Sequence, residues 1–469
     1  MTEAMGRAVG NDEAGLRATV DAMRAAFLAG PPPDLVARQA RLRMLRRAVQ
    51  ARSRDLVRAA AEDFGQRRAE ETLILDLGPV VQATRHLARN LGRWMRPDRR
   101  AVPVTLWPGR ARVIRQPKGV VGIMAPWNYP FGLSLIPLAT ALAAGNRAML
   151  KPSELAPASA EAMATLLAEI FPADEVGVVL GGPETGAAFA GLPFDHLVFT
   201  GSTGVGRKVM QAAARNLVPV TLELGGKSPV ILGRDADFAK ASRDIAWGKI
   251  ANAGQTCIAP DYVLVHRADA PAFRDRLVEE LGRAFTARGG MTGIIDAARA
   301  DRLRTLVAEA EAAGAEVRWI GGAPGEGRAI APAVVSGASP DSRLMREEIF
   351  GPVLPIQTYG DLAQAVGQVA AGPRPLALYF YGGRAGGAEV LSRTTSGNVT
   401  VNGVMTHYAV DSLPFGGVGA SGIGAYHGRE GFEAMTHARG VFREPLRSLI
   451  PLGRTGGRFE RLFAWYMMR

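Results

Sequence analysis

From about residue 12 to 95, apolar residues recur every three or four positions, as in LVARQARLRMLRRAVQARSRDLVRAAAEDF and ETLILDLGPVVQATRHLARNL. That spacing gathers them on one face of a helix and predicts amphipathic packing helices. Between about 96 and 115 the rhythm changes. PDRRAVPVTLWPGRARVIRQP alternates apolar and polar residues around prolines, which predicts an extended arm or edge ribbon. Four short apolar runs follow, KGVVGIMAP, RAMLKPSE, EVGVVLGG and HLVFTGSTGVG, with helices predicted over SLIPLATALAAG and SAEAMATLLAEIF. Strands alternating with helices in this way predict a doubly wound parallel sheet. From about 223 a second series runs through SPVILG, YVLVH, AEVRWIGG and LPIQTYG, and a second α/β lobe is its simplest reading.

The stretch from Gly119 to Asn146 carries no charged side chain and is long enough to cross a bilayer. Pro126, Asn128, Pro130 and Pro137 interrupt it, and a lipid-exposed helix broken there would leave backbone groups unpaired. It reads as buried strand, loop and helix.

With 469 residues the chain exceeds one ordinary core, so two or three lobes with a cleft between them are expected. Its 47% hydrophobic and 21% charged residues suit a packed globular protein. The net charge of +12 comes from scattered arginines without interleaved aromatics, which argues against a nucleic-acid partner. A single cysteine excludes an internal disulfide and any cysteine-clustered metal site, and no metal is expected. The opening segment has no apolar core of signal-peptide type, so a cytoplasmic location is the default. The basic, aromatic ending RFERLFAWYMMR is short for a membrane-surface helix, and membrane association is not the favoured reading.

The only thiol, Cys257, lies in a loop bounded by Gly254 and Pro260. It is either a small buried hydrophobe or a nucleophile. Asn128, in the uncharged stretch, is a turn cap or an oxyanion donor. Glu223 ends an apolar run just before two glycines, where an unpaired carboxylate is costly unless used. It suits a general base, a ribose ligand, or an ion pair with Lys227. The turn Gly201-Ser202-Thr203-Gly204-Val205-Gly206 joins a strand to a helix and suits a pyrophosphate, although its glycine spacing departs from the ordinary dinucleotide-binding pattern. Lys151 and Glu154 stand at the end of another predicted strand, within reach of ribose hydroxyls, with Ser153 as a helix cap.

Taken in order, PWNYP (126–130), KPSE (151–154), FTGSTGVG (199–206), LELGGKSP (222–229), GQTCIAPDY (254–262), EEIFGP (347–352) and PFGGVGASGIGAYHG (414–428) resemble the aldehyde dehydrogenase superfamily. QTCIAPDY and GAYHG resemble its class 3 branch, and the N-terminal ETLILDLGPVVQATRHLARNLGRWMRP resembles the bacterial coniferyl aldehyde dehydrogenases. The resemblance covers nearly the whole chain. It implies an α/β fold with a Rossmann-like NAD-binding lobe (1–95 and 113–222) and a catalytic lobe (223–397). An oligomerisation arm (96–112 and 398–430) and a C-terminal tail (431–469) complete it.

The resemblance also implies roles. Cys257 would be the nucleophile, Glu223 the base for deacylation, and Asn128 with the Cys257 backbone N–H the oxyanion hole. Lys151 and Glu154 would hold the adenosine ribose, Gly201, Ser202 and Gly206 the pyrophosphate, and Trp127, Glu348 and Phe350 the nicotinamide end. Tyr129, Trp247, Thr256 and His427 match aldehyde-tunnel positions. The expected activity is oxidation of aromatic or medium-chain aldehydes by a homodimer. NAD is the expected cofactor and NADP the alternative, because Glu154 repels a 2′-phosphate that Lys151 attracts. A cofactor-free thiol hydrolase and a catalytically idle relative are the other readings. The sequence departs from the family between Phe285 and Arg302, where TARGGMTGIIDAARAD replaces a longer segment and predicts a shortened surface loop.

Overall fold

The structure, a computed structural model, describes residues 12–103, 106–444 and 457–468. The expectations for the opening segment up to residue 11 and for tail residues 445–456 lie outside them. Strands β1 (Asp98–Arg100), β2 (Arg110–Pro117), β3 (Val120–Met124), β4 (Arg147–Lys151), β5 (Val176–Val178), β6 (His196–Gly201), β7 (Val220–Leu224) and β8 (Pro229–Leu232) follow one another in the first half. The second half contributes β9 (Tyr262–His266), β10 (Glu316–Trp319), β11 (Ala333–Ser336), β12 (Val353–Tyr359), β13 (Ala377–Tyr381), β14 (Asn398–Val401), β15 (Gly422–Ile423) and β16 (Thr436–Arg443).

They form three sheets. One runs β15-β7-β6-β3-β4-β5, with only β15 antiparallel. Another runs β10-β11-β12-β9-β8-β13-β14, with only β10 antiparallel. These are the two parallel-sheet lobes that the strand-helix alternation predicts. Helices on both faces bury the strands, which is why β3 and β13 are apolar at most positions and buried throughout. The uncharged stretch becomes β3, a loop and the helix Gly132–Ala144, every residue of which is buried. No described helix is long and apolar enough to cross a membrane.

The third sheet, β1-β2-β16, differs from the expected arm. Residues 436–443, read from sequence as tail, pair with β2 from Thr436 opposite Pro117 to Arg443 opposite Arg110. Most side chains of β16 are exposed, so backbone pairing defines the strand and no apolar rhythm reveals it. Within the segment 398–430, expected in the arm, β14 extends the seven-stranded sheet and β15 closes the edge of the six-stranded one beside β7.

The segment 286–301 also differs from the expected surface loop, because Thr292, Gly293, Ile294 and Ile295 are buried. Its polar groups find interior partners. The Gly293 carbonyl accepts from Gln255 Nε2 at 3.2 Å and the Ile294 N–H donates to the Arg328 carbonyl at 2.8 Å. Those bonds draw the short connection inward against the loop that carries Cys257.

Candidate active site

Parallel α/β sheets expose their functional loops at the C-terminal ends of the strands, and the first sheet does so here. Asn128 follows β3, Lys151 ends β4, Gly201 and Ser202 end β6, and Glu223 lies in β7 opposite Thr200. Ser202 caps the helix Thr203–Ala214, so that helix directs its first N–H groups towards the cleft. Gly206 lies one turn further on, packed against Leu224 where a Cβ would collide.

From the other lobe comes the loop of Cys257, between the helix Phe238–Ile250 and β9. The thiol is partly exposed and stands where two cavities meet. One, of about 670 Å³, is lined by Tyr129, Thr256, Phe415 and His427, with Trp247 at its rim 40% exposed. The other, of about 460 Å³, is lined by Trp127, Asn128, Ser202, Glu223, Glu348 and Phe350. Cys257 and Leu133 line both.

Each candidate polar group has a distinct setting. Asn128 is buried, and its Nδ2 donates to the Gln255 carbonyl at 3.1 Å. That bond uses one of the two amide protons and fixes the plane of the other. The Glu223 carboxyl is buried with neither oxygen hydrogen-bonded among the described residues, and burial pushes its pKa well above its ordinary value. Lys227 is not its partner, since that ammonium pairs with Asp261 and donates to the carbonyls of Leu344 and Glu347. Burial, reinforced by the Glu348 and Glu223 carboxyls, raises the Cys257 thiol to about 12. In the resting site both shifts favour the protonated form over the charged one. Burial, together with the charge of Asp261, raises Glu348 to about 8, and Gly225 leaves room for its carboxyl.

In the larger cavity the Tyr129 and Thr256 hydroxyls lie 2.7 Å apart, and His427 stacks on Phe415 with ring centroids 5.0 Å apart. Burial lowers His427 to about 3, so it is neutral and behaves as part of an aromatic wall. In the other direction, Lys151 Nζ donates to Glu154 at 2.9 Å. Burial alone would raise the Glu154 carboxyl, but a backbone N–H and Lys151 hold it below its ordinary value.

Phe350 has a left-handed φ of 53° and sets its ring edge-on to Trp127 at 5.4 Å. Sequence reasoning missed several neighbours. Arg299 lies over the Trp127 ring at 5.5 Å, and Gln255, Arg302 and Ile294 also line the smaller cavity. In the larger one Leu133, Ile136, Met405, Tyr408 and Phe415 were missed. The helical spacing of Leu133 and Ile136 marks only a packed face, so nothing in it announces a tunnel wall.

Comparison with known proteins places this arrangement. Residues 2–441 match the model of the aldehyde dehydrogenase family. The coniferyl aldehyde dehydrogenase of Pseudomonas sp. strain HR199 is 44% identical over 446 residues, covering 93% of this chain and 92% of that protein. A substrate-bound structure of Staphylococcus aureus AldH superposes with a TM-score of 0.90 at 35% identity, covering 96% of this chain and 99% of its own. A Mycobacterium tuberculosis aldehyde dehydrogenase complexed with NAD+ superposes with a TM-score of 0.84 at 30% identity, covering 95% and 92%.

Proposed function

Because this chain belongs to the aldehyde dehydrogenase family, we propose that it oxidises hydrophobic aldehydes to carboxylic acids through a thiohemiacetal and a thioester on Cys257. Aromatic aldehydes, coniferyl aldehyde among them, and medium-chain aldehydes are its substrates. One observation carries the reading: Cys257 lies where an aromatic-walled cavity meets a second cavity that holds a helix N-terminus, the buried Glu223 carboxyl and the half-buried Glu348 carboxyl. A thiol hydrolase would have no use for that second cavity.

The second cavity fits NAD, with NADP as the alternative. Gly201 and Ser202 on its lining, with Gly206 behind them, would hold the pyrophosphate, and Lys151 and Glu154, outside that lining at and beyond the end of β4, would hold the adenosine ribose. Glu348 would take the other ribose, and Trp127 and Phe350 would border the nicotinamide. When bound, the cofactor accepts a hydride from the aldehyde carbon. Everything else falls to the chain. Cys257 gives its proton to solvent water, and its thiolate adds to the carbonyl carbon as the C=O π bond opens; the resulting oxyanion accepts from Asn128 Nδ2 and the Cys257 backbone N–H. Glu223, once deprotonated, takes a proton from the water that attacks the thioester, and the Cys257 thiolate leaves. Tyr129, Thr256, His427 and Trp247 border the path by which the aldehyde enters.

The protein works as a homodimer through the arm near 96–115, whose outer strand β1 pairs only with β2 among the described residues, and through the segment near 398–425. Light scattering tests this. Substrate class is tested by following NADH absorbance with NAD and either a substituted benzaldehyde or a short polar semialdehyde. The aromatic substrate is expected to show the higher kcat/KM, and preference for the semialdehyde overturns the reading.

A further inference from the structure

Three consecutive residues ahead of Cys257 adopt left-handed backbone angles: Asn252, Ala253 and Gly254, with φ of 50°, 53° and 70°. Residues with a Cβ seldom adopt this conformation, and two in a row persist only where neighbours hold them. Part of the hold is local, since Gln255 Nε2 donates to the Asn252 carbonyl at 3.0 Å. The rest comes from a carboxylate far away in sequence.

Glu71, on the short helix Ala69–Thr72, is buried. Its carboxylate accepts from the Asn252 backbone N–H at 2.6 Å, from the Thr292 hydroxyl, and from the Arg288 guanidinium at 3.0 Å. It thus joins the N-terminal helices, the inward-drawn 286–295 segment and the strained turn. Asn252, so fixed, donates its Nδ2 to the carbonyls of Asn128 at 2.9 Å and Gln255 at 3.1 Å. The Gln255 carbonyl is also the acceptor that orients the Asn128 amide.

We propose that Glu71 is a positioning residue for the reaction at Cys257, aiming the Asn128 amide at the oxyanion through the Asn252 turn. The inference rests on the role given to Asn128 above. The 286–301 segment takes part in the same network, in which Arg288 and Thr292 supply two of the donors that Glu71 collects.

The test is a double-mutant cycle on the full-length protein, read as the single-turnover rate of NADH formation with benzaldehyde. Glu71→Ala lowers that rate about 10- to 100-fold and leaves the Kd for NAD within about 2-fold, a loss below that of removing an oxyanion donor outright. In an Asn128→Ala background the same change costs less than about 3-fold, because its target is gone. Glu71→Gln, which keeps an oxygen for the Asn252 N–H, recovers most of the rate. Should Glu71→Ala fail to fold, Thr292→Val keeps the shape, removes one donor and serves in the same cycle at smaller amplitude. Additive losses in the two backgrounds, or no loss in the first, overturn the proposal. An Asn128→Ala protein with normal rate overturns the underlying reading and the positioning role with it.

Discussion

The Asn128 carboxamide and the Gln255 carbonyl, 127 residues apart in sequence, are joined by a 3.1 Å hydrogen bond that ties the loop after β3 to the loop of Cys257. The amide plane is therefore set before any substrate arrives, and its second proton is free for a developing oxyanion. Preorganised donors of this kind are worth about 100- to 1,000-fold in rate. Asn128→Ala is expected to lower kcat by that factor with the KM for NAD nearly unchanged. Steady-state kinetics checks it, and a loss confined to KM contradicts it.

Reactivity of Cys257 should follow its raised pKa. With the thiol near 12, the thiolate fraction below that value rises tenfold per pH unit. Alkylation of the cofactor-free protein by iodoacetamide is expected to accelerate about tenfold for each unit between about pH 7 and 10. A plateau near neutrality, followed by mass spectrometry of the adduct, would show a thiol already ionised.

Cofactor choice turns on Glu154, whose side chain is 37% exposed and bound to Lys151. NAD is expected to give the higher kcat/KM. Glu154→Gln removes the charge that repels a 2′-phosphate and leaves Lys151 unopposed, so NADP use should rise about 3- to 10-fold, on the scale of one partly screened charge. Initial rates with both cofactors decide it, and an unchanged NADP rate places the discrimination elsewhere.

Beneath the site, Asp76 accepts from the Gly132 N–H and faces Arg67 at 3.8 Å, both side chains fully buried. Burial raises its carboxyl to about 6 despite Arg67. A carboxyl whose folded pKa lies above its unfolded value stabilises the fold fully below the unfolded value and loses that contribution as pH rises through about 6. Wild type is therefore expected to lose about 1.4 kcal/mol relative to Asp76→Asn between about pH 5 and 8. Urea melts at the two pH values check the sign, and equal losses in both proteins contradict it.

Much of this was legible in sequence for a physical reason. Asn128, Glu223 and Cys257 are polar or reactive groups set in apolar or glycine-bounded runs, where burial without purpose is costly. The alternation of strand and helix gave the two parallel lobes. Glu71 and Arg67 were silent because charges in and between amphipathic helices read as a solvated face, and only tertiary packing buries them, while Arg299 borders the smaller cavity from a partly exposed position. The strand β16 was hidden for the opposite reason, since it buries little and carries no apolar period. The π-helical turn Leu73–Leu77, whose Leu73, Ile74 and Leu75 line the larger cavity, keeps a helical sequence pattern and could not be told from the helices around it.

The most direct test of the central claim separates the two halves of the cycle at Glu223. Its buried, unpartnered carboxyl is assigned to hydrolysis of the thioester and not to the first hydride transfer. Glu223→Gln keeps the shape and cannot take a proton from water, which typically costs about 100- to 10,000-fold in the dependent step. Rapid mixing of this variant with NAD and an aromatic aldehyde is expected to give a burst of NADH approaching one per active site, then very slow turnover with an acyl group on Cys257. Loss of the burst together with turnover, at normal NAD affinity, or turnover that survives unchanged, contradicts it.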